Sequence, residues 1–217
     1  MTEAILYYDD HELLDLRLTE AIREAGVDNF YFFSMCDSTF SGLNNIDVSI
    51  RKARLESVLK KHKAKYSITI VTRPAWGPEK AWDVERIQRN ALYRYTHVVH
   101  KTDKVLVCDA DEMLTVEGYN AANNAVLDQY VAYSIPAKNY NYYTNLLVDS
   151  QPCWPGMFLA RREYVWDTIY PQYNNIRQYL HGNTNVDMVY TVNYDMFPAS
   201  DTKPLAVHYS YLGDAVD

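Results

Sequence analysis

The sequence predicts a single α/β domain over residues 1–217, with a largely parallel central sheet flanked by helices. The order of elements at the start is the first reason. An apolar run at 4–8, a helical pattern at 11–25 and a second apolar run at 30–35 require a right-handed crossover between two parallel strands. The second reason is Val105-Leu106-Val107-Cys108, which is continuously apolar and so reads as a strand buried on both faces. The third is size: 217 residues, 48% hydrophobic and 23% charged, bury one substantial core but would be cramped as two domains.

Residues 4–8 form the first expected strand, and Asp10 is the expected N-cap of the helix over 11–25. Leu13, Leu14, Leu16, Leu18, Ala21, Ile22 and Ala25 give that helix a broad apolar face, and Gly26 supplies its stop. After the strand at 30–35, Ser38-Thr39-Phe40-Ser41-Gly42 is a polar loop that either touches a nucleotide or merely turns the chain. A basic helix is expected over 48–62, its lysines and arginines on a solvated outer face. A third strand at 66–71 runs into the loop 73–78, where two prolines and a glycine deny regular structure. A long helix over 82–101 leads into the strand 105–108, and a helix over 117–128 and a strand over 130–136 follow. Residues 151–156, Q-P-C-W-P-G, read as a second punctuated loop, 162–169 as a helix, and 171–184 lack clear periodicity.

The chemistry concentrates where the central strand ends. Asp109, Asp111 and Glu112 follow it directly, at the edge where open α/β sheets bind ligands. Carboxylates so close repel one another unless solvated or neutralised by a hard cation. A divalent metal holding a phosphate is the sharper reading of this D-x-D element, and a solvated turn is the plainer one. Upstream, Glu85, Gln88 and Arg89 share a helix face and either aim a guanidinium at a phosphate or pair with Asp109. Downstream, residues 138–145 combine Tyr140, Tyr142 and Tyr143 with amide side chains, as an acceptor wall for a sugar or as an alternating edge strand. His208 lies in an apolar, aromatic C-terminal run, where a histidine is ordinarily a satisfied core residue.

Composition excludes several classes. No apolar run reaches the length of a membrane span, and the start lacks a secretory signal's basic and apolar regions, so a soluble cytoplasmic protein is expected. Cys36, Cys108 and Cys153 form no zinc spacing and are expected as core thiols. A net charge of −7 opposes a broad grip on nucleic acid. The 20 tyrosines suit sugar or base recognition and half-buried strands equally well.

Several segments, taken in order, resemble glycosyltransferase family 17, which includes the enzyme adding the bisecting N-acetylglucosamine to N-glycans. They are residues 10–18, D-H-E-L-L-D-L-R-L; Val27-Asp28-Asn29-Phe30; Thr39-Phe40-Ser41-Gly42; Glu85-Arg86-Ile87-Gln88-Arg89-Asn90; Asp109-Ala110-Asp111-Glu112; and residues 208–213, H-Y-S-Y-L-G. The chain departs from that family's pattern at Ala206-Val207 and at Met113-Leu114. The resemblance implies a GT-A (nucleotide-diphospho-sugar transferase) fold and inverting transfer of a sugar from a nucleotide-diphosphate sugar such as a UDP-sugar, with Mn2+ or Mg2+ as the metal. It implies Asp109, Asp111 and His208 as metal ligands, and Tyr8, Arg17, Thr39, Arg89 and Asp109 as contacts to the donor. An inverting displacement also needs a base for the acceptor hydroxyl, and Asp187 is the candidate, with Glu112 and Asp149 as rivals. The expected acceptor is a glycan or another hydroxyl, a modified nucleic-acid base included, in a bacterial or viral cytoplasm.

A nucleotidyltransferase or metal-dependent phosphohydrolase is the alternative enzyme, since both also place carboxylates at strand ends. The absence of a Gly-rich phosphate loop after the first strand counts against it. A non-catalytic sugar-binding module accounts for the aromatic segment but leaves the acidic cluster unexplained.

Overall fold

The computed structural model describes residues 1–37, 47–72, 87–92, 94, 104–129, 132–141, 154–165, 194–196 and 205–210. Strands β1 (Thr2–Leu6), β2 (Phe30–Cys36), β3 (Lys65–Val71) and β4 (Lys104–Asp109) form a parallel block in the order β3-β2-β1-β4. The register sets Leu6 beside Ser34 and Asp109, so β1 and β4 end level at one edge and β2 runs two residues further. Beyond β4 the sheet becomes mixed. It continues through β7 (Trp154–Arg161), β6 (Ala132–Asn141), β9 (Ala206–Ser210) and β5 (Glu112–Leu114), and β8 (Tyr194–Met196) also pairs with β6. The β4–β7, β6–β7 and β5–β9 pairs are antiparallel, and β6–β9 is parallel. The expected largely parallel sheet thus holds for the first half of the chain and acquires antiparallel strands in the second.

Helices cover both faces. Alternate residues of each central strand divide between two apolar layers, as the two-residue side-chain period requires. Ile5, Phe33, Leu106 and Cys108 face one layer, completed by Leu14 and Leu18 of α1 (His11–Leu18), Leu55 and Leu59 of α2 (Val48–Lys61), and Tyr119 and Ala122 of α4 (Val116–Asn124). Ala4, Leu6, Phe32, Val105 and Val107 face the other, with Leu92 of the helical segment 87–92 (α3) and Tyr164 of the short helix α5 (Arg162–Tyr164).

Local differences from the sequence reading have identifiable causes. The helix read over 11–25 is α-helical only to Leu18 and continues as a π-helical turn over Thr19–Glu24. Gly26 then leaves it with φ +65°, a conformation that glycine adopts without a Cβ penalty. At α2, Asp47 caps the helix, its side chain accepting from the Ser49 N–H at 2.7 Å. The strand expected to stop at Pro136 runs on to Asn141, and its register against β7 shifts between Ile135 and Ala137. Pro136 lacks an N–H for the ladder, and an irregularity at that point lets the strand continue. The punctuated loop at 151–156 gives way to strand at Trp154. Glu117–Asp128, expected as helix, is helical from Val116 to Asn124.

β1 begins before the apolar run because two polar residues are buried in it. Thr2 and Glu3 lie in the core, Glu3 with 0% of its surface exposed. Its carboxylate accepts from Asn29 Nδ2 at 2.8 Å and from the Tyr119 hydroxyl at 3.3 Å, and it lies 3.8 Å from Arg17 Nη1. Arg17, only 1% exposed, also donates to Cys108 Sγ at 3.4 Å and to the Asp109 carbonyl oxygen at 3.2 Å. One guanidinium therefore ties β1, α1 and the end of β4 together. Burial raises the Glu3 carboxyl above its usual range, with Arg17 opposing that shift.

Removing either charge alone strands its partner in the core. Glu3→Gln and Arg17→Met should each cost about 3–5 kcal/mol in chemical denaturation. The double variant should cost clearly less than the sum; additive losses would show that the two groups act independently.

Candidate active site

Backbone clamps define the site before any reactive group does. Arg51 of α2, expected on a solvated face, is instead buried. It donates from Nη1 to the Tyr8 carbonyl at 3.1 Å and from Nη2 to the Cys36 carbonyl at 2.6 Å, fastening the chain just beyond β1 to the end of β2. The exposed cations of α2 are paired rather than free for a ligand: Arg54 with Asp9 at 2.7 Å, Lys61 with Asp15 at 2.8 Å, and Lys52 and Lys60 with Glu56.

The turn after β4 is held at three points on one residue. The Asp109 carbonyl accepts from Arg17, its N–H donates to Glu112 Oε2 at 2.8 Å, and its carboxylate accepts from Arg89 Nη2 at 2.8 and 3.2 Å. Arg89 and Gln88 are both buried on α3, and Gln88 Nε2 donates to the Ser34 carbonyl at 3.4 Å, so α3 also touches the end of β2. With Asp109 fixed, Asp111 meets His208 of β9, Oδ2 to Nε2, at 3.4 Å. His208 is 6% exposed and stands opposite Glu112 in the β5–β9 register.

Other expected site residues fall as follows. Asp109 is engaged by Arg89, which occupies part of its carboxylate. Glu112 is a correction: with 0% exposure and its carboxylate bonded to the Asp109 N–H, it braces the turn and offers no base to an acceptor. Arg17 is another, because its guanidinium lies in the core and not against a donor. Tyr8 is half-buried beyond the end of β1. Tyr140 is half-buried in β6, opposite Tyr209 of β9. Thr39, Asp149, Asp187, Tyr142 and Tyr143 lie outside the described residues, as do Glu85 and Cys153.

Asp10 was missed. It occupies the N-cap position of α1, but its side chain makes no cap hydrogen bond. Its carboxyl is pushed up to about 6, by burial first and by the Asp111 charge second, against hydrogen bonds from the backbone at Tyr8, Asp9 and Asp10. The signal was available in the sequence, since Asp10 follows β1 much as Asp111 follows β4. Cap preference offered the more familiar reading of an aspartate before a helix.

Asp111 and His208 are the carboxylate and imidazole at this edge that could share a divalent cation. Among the described residues no three such groups converge into a closed cage. Two groups alone make no closed cage, so a cation held there would leave further positions to phosphate and water oxygens.

No protein-family model matches the chain, and no curated protein matches it. Among solved structures, the inositol-1-phosphate CTP transferase from T. maritima superposes with a TM-score of 0.53 at 8% identity, covering 95% of this chain and 88% of that one. HddC from Yersinia pseudotuberculosis superposes with a TM-score of 0.44 at 12% identity, covering 90% of this chain and 89% of that one. These findings overturn the resemblance to glycosyltransferase family 17: the short segments that carried it extend to no family match, and the fold is shared with a CTP transferase. The chain is a mixed α/β protein with the fold of that enzyme, and among its described residues no helix is long and apolar enough to cross a membrane.

The raised Asp10 carboxyl has a thermodynamic signature. A carboxyl raised in the folded state contributes its full stability below its ordinary value of 3.8 and loses it as pH rises through about 6. The melting temperature of Asp10→Asn should therefore climb relative to wild type as pH goes from 4 to 7. Melting curves at stepped pH check this, and a constant offset would show that Asp10 is not under such pressure.

Proposed function

We propose that this chain is a metal-dependent transferase acting at the phosphates of a nucleotide, with nucleotidyl transfer as its reaction. The observation that carries the reading is the 3.4 Å approach of Asp111 and His208 at the carboxyl edge of the parallel strands, where open α/β sheets bind ligands. The fold shared with a CTP transferase supports it. In such a reaction an oxygen of a phosphorylated acceptor attacks the α-phosphorus of a nucleoside triphosphate. The new P–O bond forms as the bond to the bridging oxygen breaks, and pyrophosphate leaves with that electron pair.

Asp111 and His208 would hold the cation. When bound, the cation supplies Lewis-acid stabilisation of charge on the phosphate oxygens. Arg89 neutralises Asp109 and so lowers the repulsion that the strand-end carboxylates exert on an incoming polyphosphate. Arg17 and Glu112 fix the backbone on either side of Asp109, which presents Asp111 from a rigid frame.

A second reading, transfer of a sugar from a nucleotide-diphosphate sugar, is favoured by one feature. β1 leads into Tyr7-Tyr8-Asp9-Asp10, and the first glycine of the chain is Gly26, so no Gly-rich loop cradles a triphosphate there.

The leaving group separates the two. Protein incubated with Mn2+, nucleoside triphosphates and phosphorylated sugars or polyols should release pyrophosphate. Release of nucleoside diphosphate from nucleotide sugars, without pyrophosphate from triphosphates, would replace the first reading with the second. Asp111→Asn should lower the rate roughly a hundredfold or more, as loss of a principal metal contact does. Undiminished turnover by that variant, or in chelator, contradicts both.

A further inference from the structure

We infer that Thr115 is a positioning residue that sets the register of β9 and so delivers His208 to Asp111. The inference rests on the metal-site reading above. Thr115 is the N-cap of α4, immediately after β5, and its side-chain oxygen accepts from the Gly118 N–H at 3.1 Å. The same residue also grips the C-terminal part of the chain. Its N–H donates to the Leu205 carbonyl at 2.9 Å, and its hydroxyl donates to that oxygen at 3.2 Å. Gly118 completes the seat, because a Cβ there would overlap the Leu205 carbonyl oxygen.

Leu205 directly precedes β9, whose pairing with β5 sets Ala206 opposite Leu114, Val207 opposite Met113 and His208 opposite Glu112. β5 has only three residues, so its ladder alone pins register weakly. β6 pairs with β9 over five positions, but backbone ladders are indifferent to side-chain identity. A slip of one residue would turn His208 to the opposite face of the sheet, away from Asp111. The Leu205 carbonyl, held by both Thr115 donors and seated on a glycine, adds a fixed point at the start of β9 that the three-residue β5 ladder lacks. Both α4 and β5 follow the acidic turn without interruption, so one short stretch supplies Asp111 and also places its partner.

The test uses Thr115→Val, which keeps the backbone donor and loses the hydroxyl, beside Thr115→Ser, which keeps both. Mn2+ affinity is read by the spin-resonance signal of free Mn2+, the His208 imidazole by heteronuclear NMR without metal, and stability by thermal melting. Thr115→Val should shift the His208 resonances and weaken Mn2+ binding roughly tenfold, the change expected for losing one partly buried hydrogen bond from the seat. It should still melt cooperatively, and Thr115→Ser should restore wild-type values. Unchanged His208 resonances in Thr115→Val overturn the inference, as does a variant that is simply unfolded, which would make Thr115 a helix cap alone. If the wild type binds no Mn2+, the metal-site reading fails, and the His208 resonances by themselves decide whether Thr115 sets the register.

Discussion

Everything at the candidate site hangs on a buried arginine. Arg17 reaches from α1 through the core to Glu3 of β1, Cys108 of β4 and the Asp109 carbonyl. A guanidinium is tolerated in such a place only when paired and hydrogen-bonded, and the Glu3 carboxylate, bonded in turn to Asn29 and Tyr119, meets that requirement. The same contact that neutralises the charge fixes the backbone at the end of β4. Arg51 repeats the device at the ends of β1 and β2. Two basic residues that a sequence pattern assigns to a ligand or to solvent are thus internal struts, and the strand ends they hold are the floor of the site.

Charge is arranged around that floor in opposing pairs. Arg89 occupies the Asp109 carboxylate and Arg54 takes one oxygen of Asp9, while Asp10 and Asp111 remain close enough for one charge to raise the other's carboxyl. An edge built in this way leaves negative charge concentrated near His208 and Asp111, which is the electrostatic condition for attracting a divalent cation before a polyphosphate arrives. The assembly also depends on the far end of the chain, since β9 carries His208 back to β5.

Much of the first half was legible. The strand–helix–strand opening and the continuous apolar run of β4 specify parallel strands with buried centres, and the structure has them, with β1 shifted toward the N-terminus. The acidic turn was equally visible as a cluster, but its division was not: Asp109 pairs with Arg89 and Glu112 braces the turn, while Asp111 reaches His208. What the pattern missed is buried polarity. Glu3, Arg17 and Arg51 look like surface residues in any hydropathy reading, and only their partners, distant in sequence, make burial affordable. Long-range pairing explains the other misses: β5 is too short to announce itself, and β6 passes through a proline because β7 and β9 flank it. The family resemblance failed for a related reason. Its segments are short and polar-rich, and the described ones, α1 and the turn after β4, are elements whose residues are set by local packing and capping, so their shared order fixed neither the family nor the reaction.

The central claim is that Asp111 and His208 together receive a divalent cation beneath a nucleotide's phosphates. Crystals grown with Mn2+ and a nucleoside triphosphate, recorded where manganese scatters anomalously, test it most directly. The account predicts an anomalous peak within bonding distance of Asp111 Oδ2 and His208 Nε2, with phosphate density on its open side. A nucleotide bound with no such peak, or a peak held elsewhere while Asp111 and His208 remain paired with each other, would contradict it.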